Sequence, residues 1–156
     1  MSEGDAVRAE ALTAILRDLE EAQQRFMMMV TQVTDAEFAW QPPDGDSIKR
    51  TLERAADEVN FGYGRLVARM LELASTACIP TAEFLSSREA SVALQVAYRR
   101  FVNLLHDLRP QDLDRTVEDG PRTANLRGAL ATAAQHYRRQ AKQVERLRAA
   151  WEEAQG

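Results

Sequence analysis

Apolar residues recur at helical spacing along most of this chain, which predicts long amphipathic helices. Four segments carry the pattern, and none of them alternates apolar and polar residues with the period of two that a half-buried strand requires. The four segments are Leu12–Val33, Ile48–Leu73, Val92–Leu108 and Leu126–Trp151. We therefore expect four long helices and no sheet.

Helix-breaking and helix-capping residues separate the first two segments. Residues 41–46, Gln-Pro-Pro-Asp-Gly-Asp, interrupt the chain because proline removes a backbone donor and restricts the residue before it. Ser47 then suits the N-cap of the second helix. Thr34 and Glu37 have the spacing of a capping box, which predicts a short extra helical turn that ends near Trp40.

The second half of the chain has similar helix-breaking and helix-capping residues. Residues 75–86 form the connection between the second and third helices, and Pro110 is expected to end the third helix. Asp-Gly-Pro at 119–121 predicts a loop. Thr123 or Asn125 can then cap the last helix. Two helical hairpins joined by a longer middle connection indicate an antiparallel four-helix bundle, which makes the fold all-α.

Length and composition limit the class of protein. The chain has 156 residues, of which 45% are hydrophobic, and this favours one domain over residues 1–156. No run of 18 apolar residues is present that could cross a membrane. The net charge of −4 argues against a nucleic-acid-binding protein.

The single cysteine, Cys78, excludes an intrachain disulfide and is expected to be buried. The N-terminal residues do not resemble a signal peptide, so we expect a cytoplasmic protein.

Several short motifs, in this order, resemble the DinB-like superfamily, the DinB/YfiT-like metalloenzymes. They are the acidic turn at 34–40, the Pro-Pro-Asp-Gly loop at 42–45, the helix that begins at Ser47, and a last helix that carries His136 and Gln143. The resemblance covers almost the whole chain. It implies the four-helix bundle and a homodimer.

The resemblance also implies a divalent metal, often nickel or zinc, held by three histidines. One comes from the second helix, and two lie one turn apart on the last helix. Carried over one at a time, these positions fall at Arg54, His136 and Gln140. Arginine has no free lone pair, and glutamine is a weak ligand for a transition metal. His136 is thus the only surviving ligand position of a degraded metal triad, and we expect no metal and no cofactor.

Five residues form the expected pocket, and we assign no catalytic residue. They are Arg54, Glu58, His136, Tyr137 and Gln140. If Arg54 reaches Gln140, a cationic side chain occupies the place of the metal, and the pocket suits a small anion. Alternatively, His136 is a partly buried histidine that a neighbouring polar group satisfies, and Glu58 pairs with Arg54 across one helical turn. In a further alternative, Asp57 and Glu58 rebuild a site around His136.

Three functions follow from these alternatives. The first is a small-molecule-binding or structural homodimer that has lost its metal, with Met27–Met29 and the Trp151 end supplying apolar contact area. The second is a hydrolase or thiol-dependent transferase that uses nickel or zinc in a site rebuilt around His136. The third is a helical module that binds another protein. Nucleic acid and membrane are not expected as partners.

Overall fold

The structure is a computed structural model that describes residues 2–74 and 78–156. Within these residues the α-helices are α1 (Glu3–Thr31), α2 (Asp35–Ala39), α3 (Ile48–Asp57), α4 (Gly64–Met70), α5 (Ser87–Leu104) and α6 (Leu126–Gln155). A π-helical segment, Glu58–Tyr63, joins α3 to α4. A 3-10 turn, Pro110–Asp114, precedes two short strands, β1 (Thr116–Asp119) and β2 (Arg122–Asn125).

Helix starts lie where the capping residues predict them. The Thr34 hydroxyl accepts a hydrogen bond from the Glu37 amide at 3.2 Å, and the Glu37 carboxylate accepts one from the Thr34 amide at 3.1 Å. The side chains of Ser47 and Asn125 cap α3 and α6 in the same way. These local contacts confirm the predicted capping box and both caps.

The long helices pack against one another around one core. α1 lies along α6 and also contacts α5, while α3 packs against both α5 and α6. Buried apolar side chains from all four helices meet in the centre, where the rings of Phe26 and Tyr137 lie 5.5 Å apart. The mostly helical fold agrees with the sequence pattern.

A small β-hairpin contradicts the prediction that the chain has no sheet. β1 and β2 pair antiparallel, with Val117 opposite Ala124, and the turn between them uses Gly120 at φ +61°. Each strand has only four residues, which is too short to produce a clear period-two pattern. The hairpin packs on α4, and Arg69 donates a hydrogen bond to the Glu118 carbonyl oxygen at 2.7 Å.

Three further expectations are wrong in detail. The predicted second helix is not continuous, because Gly62 leaves helical geometry at φ −92° and ψ −106°. The third helix ends at Leu104, before Pro110, and this proline instead begins the 3-10 turn. Cys78 is exposed and not buried.

Within the described residues, no helix is long and apolar enough to span a bilayer.

Two carboxylates of α3 hold the described end of the connection to α5. Glu53 is buried and accepts a hydrogen bond from the Phe84 amide at 2.8 Å, and Asp57 accepts one from the Ala82 amide at 2.8 Å. Lys49 contacts the same Glu53 carboxylate at 2.5 Å. These bonds hold the chain before α5 against α3. The Asp57 carboxylate is therefore engaged by a backbone amide.

Candidate functional site

The π-helical segment determines where the first candidate residue, Glu58, lies. In this segment the Gly64 amide donates to the Val59 carbonyl five residues earlier, instead of four as in an α-helix. A β-carbon at Gly64 would overlap the Val59 carbonyl oxygen, so the segment requires glycine there. π-helical turns within helices are frequent at functional sites, which draws attention to the residues on this one.

Glu58 and His136 meet between this segment and α6. The His136 side chain is only 1% exposed, and its Nε2 lies 2.7 Å from Oε2 of Glu58. The Gln140 amide lies 3.3 Å from the same nitrogen, one turn further along α6. Because the Glu58 side chain is 43% exposed, its carboxylate faces solvent while the imidazole lies behind it.

Burial keeps the imidazole neutral. It lowers the pKa of His136 to about 4, and the nearby positive charge of Arg139 acts in the same direction. A neutral imidazole carries one N–H, and an ionised carboxylate can only accept a hydrogen bond. We therefore assign the proton to Nε2, where it is donated to Glu58, and this leaves a lone pair on Nδ1.

Two tyrosines enclose the imidazole on its buried side. The rings of Tyr63 and Tyr137 lie 5.5 Å and 5.8 Å from the His136 ring, centroid to centroid. Burial raises the pKa of both hydroxyl groups, so both stay protonated. Neither hydroxyl, nor Nδ1 of His136, makes a hydrogen bond of ordinary geometry to a described residue. Besides Nδ1 of His136, this side of the ring therefore presents only neutral phenols, and not the thiolate, imidazole or carboxylate groups that transition metals prefer.

A groove of about 500 Å³ opens in front of Glu58. We call it the Glu58 groove. Its lining includes Glu58, Phe61, Arg65, Arg69, Asp119 and Thr132. The Arg65 guanidinium stacks on the Phe61 ring at 4.8 Å, and Arg69 reaches the hairpin. The groove therefore presents two guanidinium groups and two carboxylates around an apolar wall.

The structure brings four of the five predicted pocket residues together and leaves one out. Glu58, Tyr137 and Gln140 all lie near His136. Arg54 is exposed, and its guanidinium pairs with the Asp46 carboxylate at 2.6 Å, in the loop before α3. It is therefore occupied outside the pocket and does not pair with Glu58 among the described contacts. Arg54 turns outward because it lies on the opposite side of α3 from its buried positions.

The donor groups around His136 do not fit a divalent transition metal. Within residues 2–74 and 78–156, no three His, Cys, Asp or Glu side chains are grouped so that they could hold one. Nε2 of His136 already contacts the Glu58 carboxylate, and the other side chain near this nitrogen, Gln140, offers only an amide. A structural or catalytic zinc site needs at least three strong protein ligands.

Sequence reasoning missed Tyr63, Arg65 and Arg69. Tyr63 lies at an apolar position of the segment Ile48–Leu73, which is typical of a core residue, whereas Arg65 and Arg69 look like surface residues. A signal was present, since Gly62 and Gly64 interrupt a helical pattern just before them, and such glycines often have a packing or functional reason. Arg65 and Arg69 are also spaced by one turn, so they share a helix face.

Comparison with known proteins identifies one relationship. The family model described as the DinB superfamily matches residues 18–144. This range includes the π-helical segment and both His136 and Gln140. No curated protein and no solved structure gives a significant match to the chain.

Proposed function

This chain belongs to the DinB superfamily, and we propose that it is a member that has lost the three-histidine metal site and binds a small molecule in the Glu58 groove. One observation carries the proposal. Nε2 of the buried His136, at the surviving ligand position, is 2.7 Å from the Glu58 carboxylate. The imidazole thus serves to hold a carboxylate at the wall of the groove.

The other two ligand positions support the same interpretation. Arg54 is permanently charged, has no lone pair and pairs with Asp46. Gln140 offers only an amide, which already contacts His136. A metal at this place would have to displace Glu58 from His136 and would gain no second imidazole. We propose that the antiparallel four-helix bundle of the family is kept while its metal chemistry is lost.

The charges of the groove indicate the class of ligand. Arg65 and Arg69 supply guanidinium groups, which bind carboxylates and phosphates through paired hydrogen bonds. Glu58 supplies an acceptor that His136 keeps in place. We propose a small anionic ligand that also carries a hydrogen-bond donor, with its anionic group at the two arginines and its donor at Glu58.

Titration of the purified full chain with small hydroxy- and amino-carboxylates and with phosphate tests this proposal. Isothermal calorimetry should detect saturable binding of at least one of these probes, and Arg69→Gln should weaken it by about tenfold. Arg54→Gln is the matched control, because Arg54 is also exposed but pairs with Asp46 outside the groove. Equal effects of the two substitutions, or no binding of any probe, would contradict a groove-based ligand site.

The homodimer remains part of this proposal. Of the residues that the sequence suggests for contact, Met28 on α1 is 65% exposed and Trp151 on α6 is half-buried. Light scattering coupled to size exclusion should give twice the mass of one chain, and Met28→Glu should shift the protein toward the monomer. A monomer at all concentrations would refute the dimer and leave the ligand proposal intact.

A further inference from the structure

A second cavity lies on the α5 side of the π-helical segment. It has a volume of about 270 Å³, and we call it the α4–α5 cavity. The residues that matter for its chemistry are Val59, Arg65, Ala68, Ala97, Arg100 and Phe101. It shares Phe61 and Arg65 with the Glu58 groove, but it extends to α5, and its lining includes neither Glu58 nor Asp119.

The local backbone and small side chains explain why space remains here. Gly64 adds no side chain to the wall of the cavity, because the Val59 carbonyl oxygen lies too close to allow a β-carbon there. Ala68 of α4 and Ala97 of α5 are buried and add only methyl groups. Small side chains at these positions leave the space between α4 and α5 unfilled.

The charges at this cavity are all of one sign. Arg65 and Arg100 line it, and none of its lining residues is acidic. Arg100 donates to the Asn60 side-chain oxygen at 3.3 Å, and Arg65 stacks on the Phe61 ring. Neither guanidinium forms an ion pair with a residue in the part of the chain that the structure describes. Two cations without a counter-charge beside an apolar interior suit a ligand that is both anionic and apolar.

We propose that the α4–α5 cavity binds a small monocarboxylate with an apolar tail, of the medium-chain fatty acid class. The carboxylate would lie at Arg100 and Arg65, and the tail among Val59, Ala97 and Phe101. The volume of about 270 Å³ lies near the lower end of the usual range of roughly 300–1,000 Å³ for small-molecule sites, which favours a short apolar tail. This site shares Arg65 with the Glu58 groove, but Arg100, Ala97 and Phe101 belong to the α4–α5 cavity and not to the groove.

Calorimetry on the full chain with three probes separates the contributions of charge and tail. Octanoate has both, acetate has the charge alone, and 1-octanol has the tail alone. We expect one octanoate to bind for each chain, and acetate and 1-octanol to bind at least about tenfold more weakly. Comparable binding of 1-octanol would overturn the role of the arginines, and absence of saturable octanoate binding would overturn the site.

Substitutions then locate the bound probe. Arg100→Gln should weaken octanoate binding by about tenfold. Arg99→Gln is the matched control, because Arg99 is the exposed neighbour on α5 and does not line the cavity. Arg69→Gln should also leave octanoate binding unchanged, since Arg69 lines only the Glu58 groove. A loss with Arg69→Gln equal to that with Arg100→Gln would place octanoate in the groove and refute the second site.

Discussion

Lowering the pH from 7 to 5 should destabilise the protein by about 2 kcal/mol, through His136 alone. In the unfolded chain this histidine has its ordinary pKa of about 6.5, whereas burial lowers the pKa in the folded protein to about 4. Between these two values the unfolded chain binds a proton that the folded protein does not bind. Stability therefore falls as the pH falls through this window and approaches a total loss of about 3 kcal/mol near pH 4.

The buried carboxylates act at lower pH and do not obscure this effect. Burial opposes the charge of Glu37, but hydrogen bonds from Arg148 and Thr34 outweigh it and lower the pKa of this carboxyl. Asp112 behaves alike, because hydrogen bonds from Arg109 and Arg115 outweigh its burial and lower its pKa. Both contribute stability at neutral pH that is lost only as the pH falls below their ordinary values of 4.5 and 3.8.

Urea unfolding followed by circular dichroism at pH 7, 6 and 5 measures the effect. The wild type should lose about 2 kcal/mol over this range, and His136→Gln should lose much less because it removes the titrating group. His106→Gln is the matched control, because His106 is the other histidine and is exposed, and it should keep the wild-type dependence. If His136→Gln kept the full dependence, the buried neutral imidazole would be refuted.

Two further substitutions test the packing around the site. Gly64→Ala should destabilise the protein by about 2–3 kcal/mol in urea unfolding, because its methyl group would overlap the Val59 carbonyl oxygen. Gly4→Ala on α1 should cost nothing, because its methyl group would make only an ordinary contact with the Ser2 hydroxyl at 3.8 Å. Arg148→Ala should cost about 3 kcal/mol in thermal or urea unfolding, because it leaves the buried Glu37 carboxylate without its partner at 2.6 Å, while Arg146→Ala on the exposed face should change stability by less than about 0.5 kcal/mol. A small effect of either test substitution, or an equal effect of its control, would count against the corresponding contact.

Local chemistry made much of the fold predictable from the sequence. Thr34, Ser47 and Asn125 cap helices through bonds to amides only three residues away, so the sequence alone contains both partners. The family relationship could be inferred for a similar reason, since its motifs are short and ordered along the chain. The β-hairpin could not be predicted, because four-residue strands give too little pattern and their pairing depends on packing against α4.

The site was harder to predict because it depends on the π-helical segment. Glu58 and His136 are distant in sequence, and their contact requires knowing which side of the segment Glu58 occupies. An uninterrupted α-helix would also have continued past Gly62 with a different face toward α6. Arg54 was placed in the pocket by analogy with family ligands, but its own contact with Asp46 depends on the loop before α3. Side-chain partners across elements are set by tertiary packing, which a single sequence does not contain.

Metal content is the most direct test of the claim that this family member has lost its metal site. The tag-free 156-residue chain, purified without chelator, should contain well under one equivalent of any divalent metal by elemental analysis. Adding nickel or zinc should not raise its melting temperature, since a ligand that binds only the folded state would stabilise it. One equivalent of bound metal that is lost on His136→Gln, together with stabilisation by nickel or zinc, would contradict the account and show that His136 and Glu58 rebuild a metal site.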